Sequence, residues 1–259
     1  MGQDARGLAQ AVGFWDGVFP APQHKLIARY LSALEPELLT HLSCCGSLAE
    51  PARHAIGAGE RRIRPLVVLG ACDALGGDWR RSVLPAVAVE FVHTASLVHD
   101  DIIDLSPTRR GVPAVHAKMG MQTALLTGDV LCFLAIELSA NVPGVSAVLA
   151  QACREMCIGE AMAEGLEAAD KKTASLFAAA AEIGGLGARA ELTPLADLRR
   201  YGRMLGMAYQ LRDDQLDGEG VADPLPYSEK ACAAIQELPA GDARELLRGL
   251  AEFAARRAK

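Results

Sequence analysis

The chain has 259 residues, 51% of them hydrophobic and 22% charged, with a formal net charge of −6. Intrinsic disorder needs low hydrophobicity and high net charge, and a membrane span needs ~18 consecutive apolar residues, so we predict neither disorder nor a transmembrane segment. The acidic balance, without a stripe rich in Lys and Arg, argues against nucleic acid as a partner.

Hydrophobic periodicity is helical almost throughout, and the alternating β-branched runs typical of strands are absent. A Gly-Gly pair at 76–77 and a Pro-Gly pair at 143–144 separate helices, and Thr193-Pro194 is typical of an N-cap followed by proline at the first helical position. No low-complexity linker or fixed repeat divides the chain, so the pattern predicts one all-α domain over residues 1–259. The predicted helices are 23–43, 61–76, 82–104, 117–140, 144–169, 171–190, 194–217 and 240–258.

The first residues and the cysteines bear on location. Residues 1–12 lack the apolar stretch of a secretory signal. The seven cysteines are scattered, and neither Cys44-Cys45 nor Cys153-x3-Cys157 has the spacing of a zinc site. We therefore expect a cytoplasmic protein with reduced thiols.

Two acidic clusters stand out, each at the C-terminal end of a mostly apolar predicted helix and each with the pattern Asp-Asp-x-x-Asp. They are Asp100, Asp101 and Asp104, and Asp213, Asp214 and Asp217. Carboxylates at i and i+4 share a helix face and repel, and the negative end of the helix dipole costs each exposed one about 0.3–1 kcal/mol more. Mg²⁺, which binds carboxylates together with substrate phosphates, would offset this cost. A solvated acidic helix end would explain one cluster, but two identical clusters favour a metal site.

Cationic residues accompany these clusters. Arg109-Arg110 follows the first cluster, Arg61 and Arg64 share one face of the second predicted helix, and Lys172-Thr173 opens the sixth. Taken singly, each is an ordinary surface group. Forked guanidinium groups suit phosphate oxygens, however, and carboxylates for a metal beside cations for phosphates predict diphosphate chemistry.

In this arrangement the chain resembles the trans-isoprenyl diphosphate synthase (polyprenyl synthetase) family between residues 56 and 217. The resemblance rests on short motifs that follow the family's order. They are Gly59-x-Arg61-Arg62-Ile63-Arg64-Pro65, the segment from His93 to Asp104, Arg109-Arg110-Gly111, Gly128-Asp129, Gly159-Glu160, Lys172-Thr173-Ala174 and Tyr209-Gln210. The resemblance implies a bundle of about ten helices around a deep central cavity (the isoprenoid synthase type I fold), usually as a homodimer.

The resemblance also implies a Mg²⁺-dependent prenyltransferase that condenses isopentenyl diphosphate with an allylic diphosphate. It implies that all six aspartates form the metal sites, and that the catalytic residues are Asp100, Asp104, Asp213, Lys172 and Arg109. The residues expected at the allylic diphosphate are Arg109, Lys172, Thr173 and Gln210. Those expected at isopentenyl diphosphate are Arg61, Arg64, His93 and Arg110.

By the same resemblance, product length depends on the helix before the first cluster, along which the growing tail would run. Ala95, with Ser96 beside it, lies one turn before that cluster, where short-chain members of the family often carry a bulky aromatic residue. Small residues would leave the tunnel open, so we expect products longer than C15, with Phe91 as a deeper floor. Ordinary helix packing is the alternative explanation for Ala95.

Two stretches are short beside the family's pattern, at 161–171 and 218–230. After Asp217 the family's Gly-Lys-containing segment is missing, so the lysine expected to bind diphosphate there has no clear counterpart, and Lys230 lies in a different context. These losses concern the lid over the diphosphate, so they bear on catalytic efficiency.

Three alternatives therefore stay open beside an active synthase. The first is a weak or non-catalytic subunit of a heteromeric prenyl synthase, although such subunits often lose an aspartate cluster and this chain keeps both. The second is a class I terpene cyclase, whose second metal site typically mixes Asn or Asp with Ser or Thr and Glu. The third is a purely structural helical bundle, which would leave the metal-like pattern of the aspartates unexplained.

Overall fold

The computed structural model describes residues 3–57, 61–218, 220 and 222–258, which form a bundle of thirteen α-helices and confirm the predicted all-α class. The helices are α1 Gln3–Gly13, α2 Ala21–Thr40, α3 Ala49–Gly57, α4 Ile63–Ala74, α5 Val83–Ile103, α6 Val115–Met119, α7 Met121–Ser139, α8 Val145–Glu160, α9 Leu166–Ala169, α10 Ser175–Gly187, α11 Leu192–Asp217, α12 Leu225–Ala234 and α13 Asp242–Arg256. Two 3₁₀ helices, His41–Leu48 and Trp79–Ser82, and one π-helical turn, Asp170–Ala174, link them. A short hairpin pairs Thr108–Arg109 with Val112–Pro113.

Small residues bring the helices around the site close together. The alanine-rich helix α10 packs against both α4 and α11. A Cβ on Gly206 of α11 would lie 2.6 Å from the Cα of Ala174, and a Cβ on Gly202 would overlap the carbonyl of Phe177. Only glycine allows this approach, which places the π-helical turn and the start of α10 beside the middle of α11.

The observed elements differ from the predicted ones in three ways. Helices α1, α3, α6 and α12 were not predicted, because they are short or have few apolar repeats. The predicted helix 144–169 is wrong, since α8 ends at Glu160 and α9 begins at Leu166. Helix α11 begins at Leu192 with Glu191 as its N-cap, so Thr193 and Pro194 lie inside its first turn. Proline is tolerated there because the first four N–H groups of a helix have no intrahelical partner.

Two helical stretches are long and apolar enough to cross a membrane by length and composition alone, Trp79–Ile103 and Met121–Ser139. In the first, 72% of the most apolar window is buried inside the fold, as expected of a core helix. In the second, which is α7, only 39% of that window is buried. The absence of a transmembrane segment therefore stays a prediction, and α7 presents an unusually apolar surface.

Candidate active site

A cavity of about 970 Å³ lies where α5, α8, α11, the start of α4, the hairpin and the π-helical turn meet. It brings together most of the residues singled out in the sequence. Those that line it are Arg61, Arg64, His93, Ser96, Asp100, Asp104, Arg109, Arg110, Lys172, Thr173, Gln210, Asp213 and Asp217. Asp101, Asp214, Phe91 and Ala95 are not among the described lining residues. Gly59 of the resemblance, and residues 219 and 221 of the shortened stretch 218–230, lie outside the described residues.

The carboxylates of the first acidic cluster lie in two different environments, one at the cavity and one paired with an arginine. Asp100 lines the cavity, where burial raises the pKa of its carboxyl to about 6, with a further contribution from Glu160. Asp101 is buried and accepts hydrogen bonds from Arg109 at 2.9 Å (Nε) and 2.5 Å (Nη2). Asp101 therefore holds the Arg109 guanidinium at the cavity wall, a contact that the sequence did not suggest.

The second cluster is tied to the π-helical turn by a chain of hydrogen bonds. Thr173 Oγ1 donates to Gln210 Oε1 at 2.6 Å, and Gln210 Nε2 donates to Asp214 Oδ1 at 2.8 Å. Asp213 and Asp217 line the cavity, while Asp214 serves as the acceptor at the end of this chain. The three aspartates of each cluster thus do not act as one group.

Anchored ion pairs hold the π-helical turn in place. Arg203 of α11 binds Asp170 through both guanidinium branches, with Nε 2.6 Å from Oδ1. Lys172 Nζ lies 2.6 Å from Glu160 Oε2 at the end of α8. A Cβ on Gly159 would lie 2.5 Å from the backbone nitrogen of Lys172, so the close approach requires glycine. Single π-helical turns are frequent at functional sites, and this one presents Lys172 and Thr173 to the cavity.

Several arginine side chains and His93 lie close together in the lining. Burial lowers the pKa of Arg64 to about 10 and also lowers that of Arg110. Burial, followed by the charge of Arg64, holds the pKa of His93 well below its ordinary value, so its imidazole is neutral at pH 7. The guanidinium of Arg64 stacks 4.2 Å from the Phe177 ring, and Arg61 donates to Tyr209 Oη at 2.9 Å. Closely spaced cations that disfavour one another's charge form a site suited to a multiply charged anion.

A buried charge triad supports the segment that carries Arg61 and Arg64. Arg62 lies between them with a left-handed backbone (φ 48°), and its side chain is 3% exposed. It donates to Glu35 and Glu90 at 2.8 Å each, and to the carbonyl of Ile56 at 3.1 Å. The sequence placed Arg62 in a motif but gave no sign of these partners, which lie on α2, α3 and α5.

The carboxylates suit a metal ion that arrives with a diphosphate. Over the described ranges, no group of three or more His, Cys, Asp or Glu residues is placed to hold a metal ion. Mg²⁺, however, is usually bound by one or two carboxylates together with substrate phosphates. Asp100 and Asp104 on α5 and its C-cap, and Asp213 and Asp217 on α11, give the cavity such carboxylates on two sides.

The less polar part of the cavity is lined by small and flexible side chains. Val92 and Ser96 come from α5, Cys132 from α7, and Cys153 and Met156 from α8. Burial raises the pKa of Cys132 to about 11 and that of Cys153 to about 12, so both thiols are neutral and weakly polar at pH 7. Ala95 and Phe91 are fully buried in the core instead. Ser96 is thus the predicted chain-length residue that meets the cavity.

The sequence is similar to a known family and to curated proteins within it. The model of the family described as Polyprenyl synthetase matches residues 46–225. The chain is 40% identical to the geranylgeranyl diphosphate synthase of Methanosarcina mazei over 66% of this chain and 58% of that protein. It is 38% identical to heptaprenyl diphosphate synthase component 2 of Geobacillus stearothermophilus over 75% of this chain and 66% of that protein. The chain thus spans less than two thirds of the length of these relatives.

A solved structure shares the fold. It is the polyprenyl synthase of Caulobacter crescentus CB15 in complex with calcium and isoprenyl diphosphate, with a TM-score of 0.84 and 28% identity. The alignment covers 92% of this chain and 98% of that one.

Proposed function

From the premise that this chain belongs to the polyprenyl synthetase family, we propose that it is a Mg²⁺-dependent prenyltransferase, condensing isopentenyl diphosphate with an allylic diphosphate. The observation that supports the proposal is the composition of one cavity. Asp100, Asp104 and Asp213 line it together with four arginines and Lys172. Carboxylates for a divalent cation and guanidinium groups for phosphates are the two components that diphosphate chemistry needs.

The polar lining residues divide between two diphosphates in this proposal. Arg109, Lys172, Thr173 and Gln210 bind the allylic diphosphate, and Arg61, Arg64, His93 and Arg110 bind isopentenyl diphosphate. Asp101 and Glu160 orient Arg109 and Lys172, which keeps these donors in place before the substrate arrives. Mg²⁺ held by Asp100, Asp104, Asp213 and Asp217 would stabilise the charge on the departing diphosphate.

The proposed reaction has three steps, which are ionisation of the allylic diphosphate, formation of a C–C bond and loss of a proton. The allylic C–O bond breaks and its electron pair leaves with the diphosphate, whose negative charge Arg109 and Lys172 stabilise. The double bond of isopentenyl diphosphate forms the new C–C bond, and the proton lost from the product passes to the released diphosphate. The neutral lining at Ser96, Cys132 and Cys153 holds the hydrocarbon tail and keeps water from the cation.

The test is incubation of the purified protein with Mg²⁺, isopentenyl diphosphate and allylic primers of several lengths. A chain-extended diphosphate is the expected product. A cyclised hydrocarbon would instead identify a terpene cyclase. No turnover under any of these conditions, in a protein that is folded, would contradict the proposal.

A second candidate function is a subunit of a heteromeric prenyl synthase. It is favoured by one observation, the 38% identity to a protein named as component 2 of a heptaprenyl diphosphate synthase. Turnover that appears only when a second, different chain is added would support this candidate over a self-sufficient enzyme.

We propose products longer than C15, with Ser96 on the wall of the tail pocket. Ser96→Phe is expected to shorten the products, because the aromatic ring would fill the space below the first cluster. Ala95→Phe is the matched control: its site is fully buried in the core, so the ring should cost about 1–3 kcal/mol of stability through overpacking. Chromatography of the dephosphorylated products measures chain length, and an unchanged length in Ser96→Phe would contradict the assignment.

We propose that the protein forms a homodimer through the exposed face of α7, in the cytoplasm. Phe133, Leu125 and Ile136 on this helix are 68%, 50% and 49% exposed. They form an apolar surface patch, and burying it in an interface removes apolar area from water. A two-fold axis would pack α7 against its own copy. Phe133→Glu is expected to give a monomer in light scattering after gel filtration. Leu192→Glu, at an 85% exposed leucine that begins α11, is the control that should leave the dimer intact. A monomeric wild type would contradict the proposal.

A further inference from the structure

The residue that follows α13 reaches back to the second acidic cluster. Helix α13 ends at Arg256, and Arg257 has an extended backbone (φ −55°, ψ 145°). The side chain of Arg257 is nevertheless only 2% exposed. A guanidinium group buried to this degree needs partners, because an unpaired charge is very costly away from water.

The partners of the Arg257 side chain lie on the last turns of α11. Its Nη2 lies 2.6 Å from Asp213 Oδ1 and donates to the carbonyl of Tyr209 at 3.1 Å. Its guanidinium stacks 4.0 Å from the centre of the Tyr209 ring. In return, Arg212 Nε donates to the carbonyl of Arg257 at 2.9 Å. These contacts fix both the side chain and the backbone of Arg257 against α11.

The ion pair leaves Asp213 with a defined orientation. Arg257 is not among the described residues that line the cavity, whereas Asp213 is, so the guanidinium supports the carboxylate from outside the cavity. The ion pair engages Oδ1 of Asp213, and the same residue lines the cavity, where a ligand can reach its carboxylate.

We propose that Arg257 is a positioning residue that orients Asp213 for a divalent cation bound together with a diphosphate. This inference rests on the proposed function and deepens it. Partners that orient a ligating carboxylate typically affect metal affinity by about 10- to 100-fold when they are removed.

The test compares Arg257→Met with Arg256→Met, a matched change at the neighbouring, exposed arginine. Calorimetry measures Mg²⁺ binding in the presence of inorganic diphosphate, and circular dichroism checks the fold. Arg257→Met is expected to weaken binding by about 10- to 100-fold, and Arg256→Met to stay within about twofold of wild type. Arg257→Gln, which removes the charge but keeps an amide donor for the Tyr209 carbonyl, is expected to show the same loss and serves if the methionine variant does not fold.

Wild-type affinity in a folded Arg257 variant would overturn the inference, and so would tighter binding, which would mean that Arg257 competes with the metal. The inference and the proposed function can fail separately. If the Arg257 variants lose Mg²⁺ binding but the wild type extends no prenyl substrate, the inference stands and the proposed function fails. If the wild type transfers prenyl groups but Arg257→Gln binds Mg²⁺ as the wild type does, the proposed function stands and the inference fails.

Discussion

Asp100→Asn is expected to lower prenyl transfer by about 10³-fold, the upper end of what removing one electrostatic group costs an active site. Asp100 lines the cavity on the same helix face as Ser96 and Asp104, and it would help to hold the metal beside the diphosphate. Asp104 would then be the one carboxylate of the first cluster left among the described lining residues, because Asp101 is engaged with Arg109. Turnover is measured with saturating substrates over a range of Mg²⁺ concentrations.

The same variant should not be less stable than the wild type. Burial raises the pKa of the Asp100 carboxyl to about 6. The unfolded chain therefore loses this proton more readily than the folded one, so ionisation of Asp100 lowers the stability of the fold as the pH rises from about 4 to 6, and the loss persists above pH 6. A neutral amide removes this cost, and the melting temperature at pH 7 should be unchanged or higher. Asp197→Asn, at a carboxylate paired with Arg200 on α11, is the control expected to keep full activity. Retained turnover in Asp100→Asn would overturn the metal assignment.

Arg62→Met is expected to lower the free energy of unfolding by about 3–5 kcal/mol, the usual cost of removing one partner of a buried ion pair. Glu35 and Glu90 would be left as buried carboxylates, 4% and 5% exposed, without their shared guanidinium. Urea unfolding followed by circular dichroism measures the change. The loss is large beside the total stability of a typical domain, so soluble yield should also fall.

Two further variants separate charge from packing at this triad. Replacing all three residues, as Glu35→Gln, Glu90→Gln and Arg62→Met together, should recover part of the stability, because no unpaired charge then stays buried. Arg200→Met, whose partner Asp197 lies in an exposed pair, should cost about 1 kcal/mol or less. If Arg62→Met costs no more than Arg200→Met, the triad does not support the segment that carries Arg61 and Arg64.

Local patterns predicted much of the site, because they act over one or two helical turns. The spacing of Asp100 and Asp104, and of Asp213 and Asp217, places each pair on one face, and all four line one cavity. Of the residues predicted to set chain length, Ser96 lies four residues before Asp100 and lines the same cavity. Ala95, one residue away, points to a face that is buried in the core.

Contacts between distant segments could not be predicted from the chain alone. The all-α class and the residue types of a diphosphate site follow from periodicity and local spacing, which each helix carries in itself. The rotation of each helix, and with it the separation of Asp101 and Asp214 from the cavity, depends on packing such as that of Gly202 and Gly206 against α10. The pairing of Arg257 with Asp213, and of Arg62 with Glu35 and Glu90, exists only once α2, α5, α11 and α13 have packed, because burial is what makes each charge require its partner.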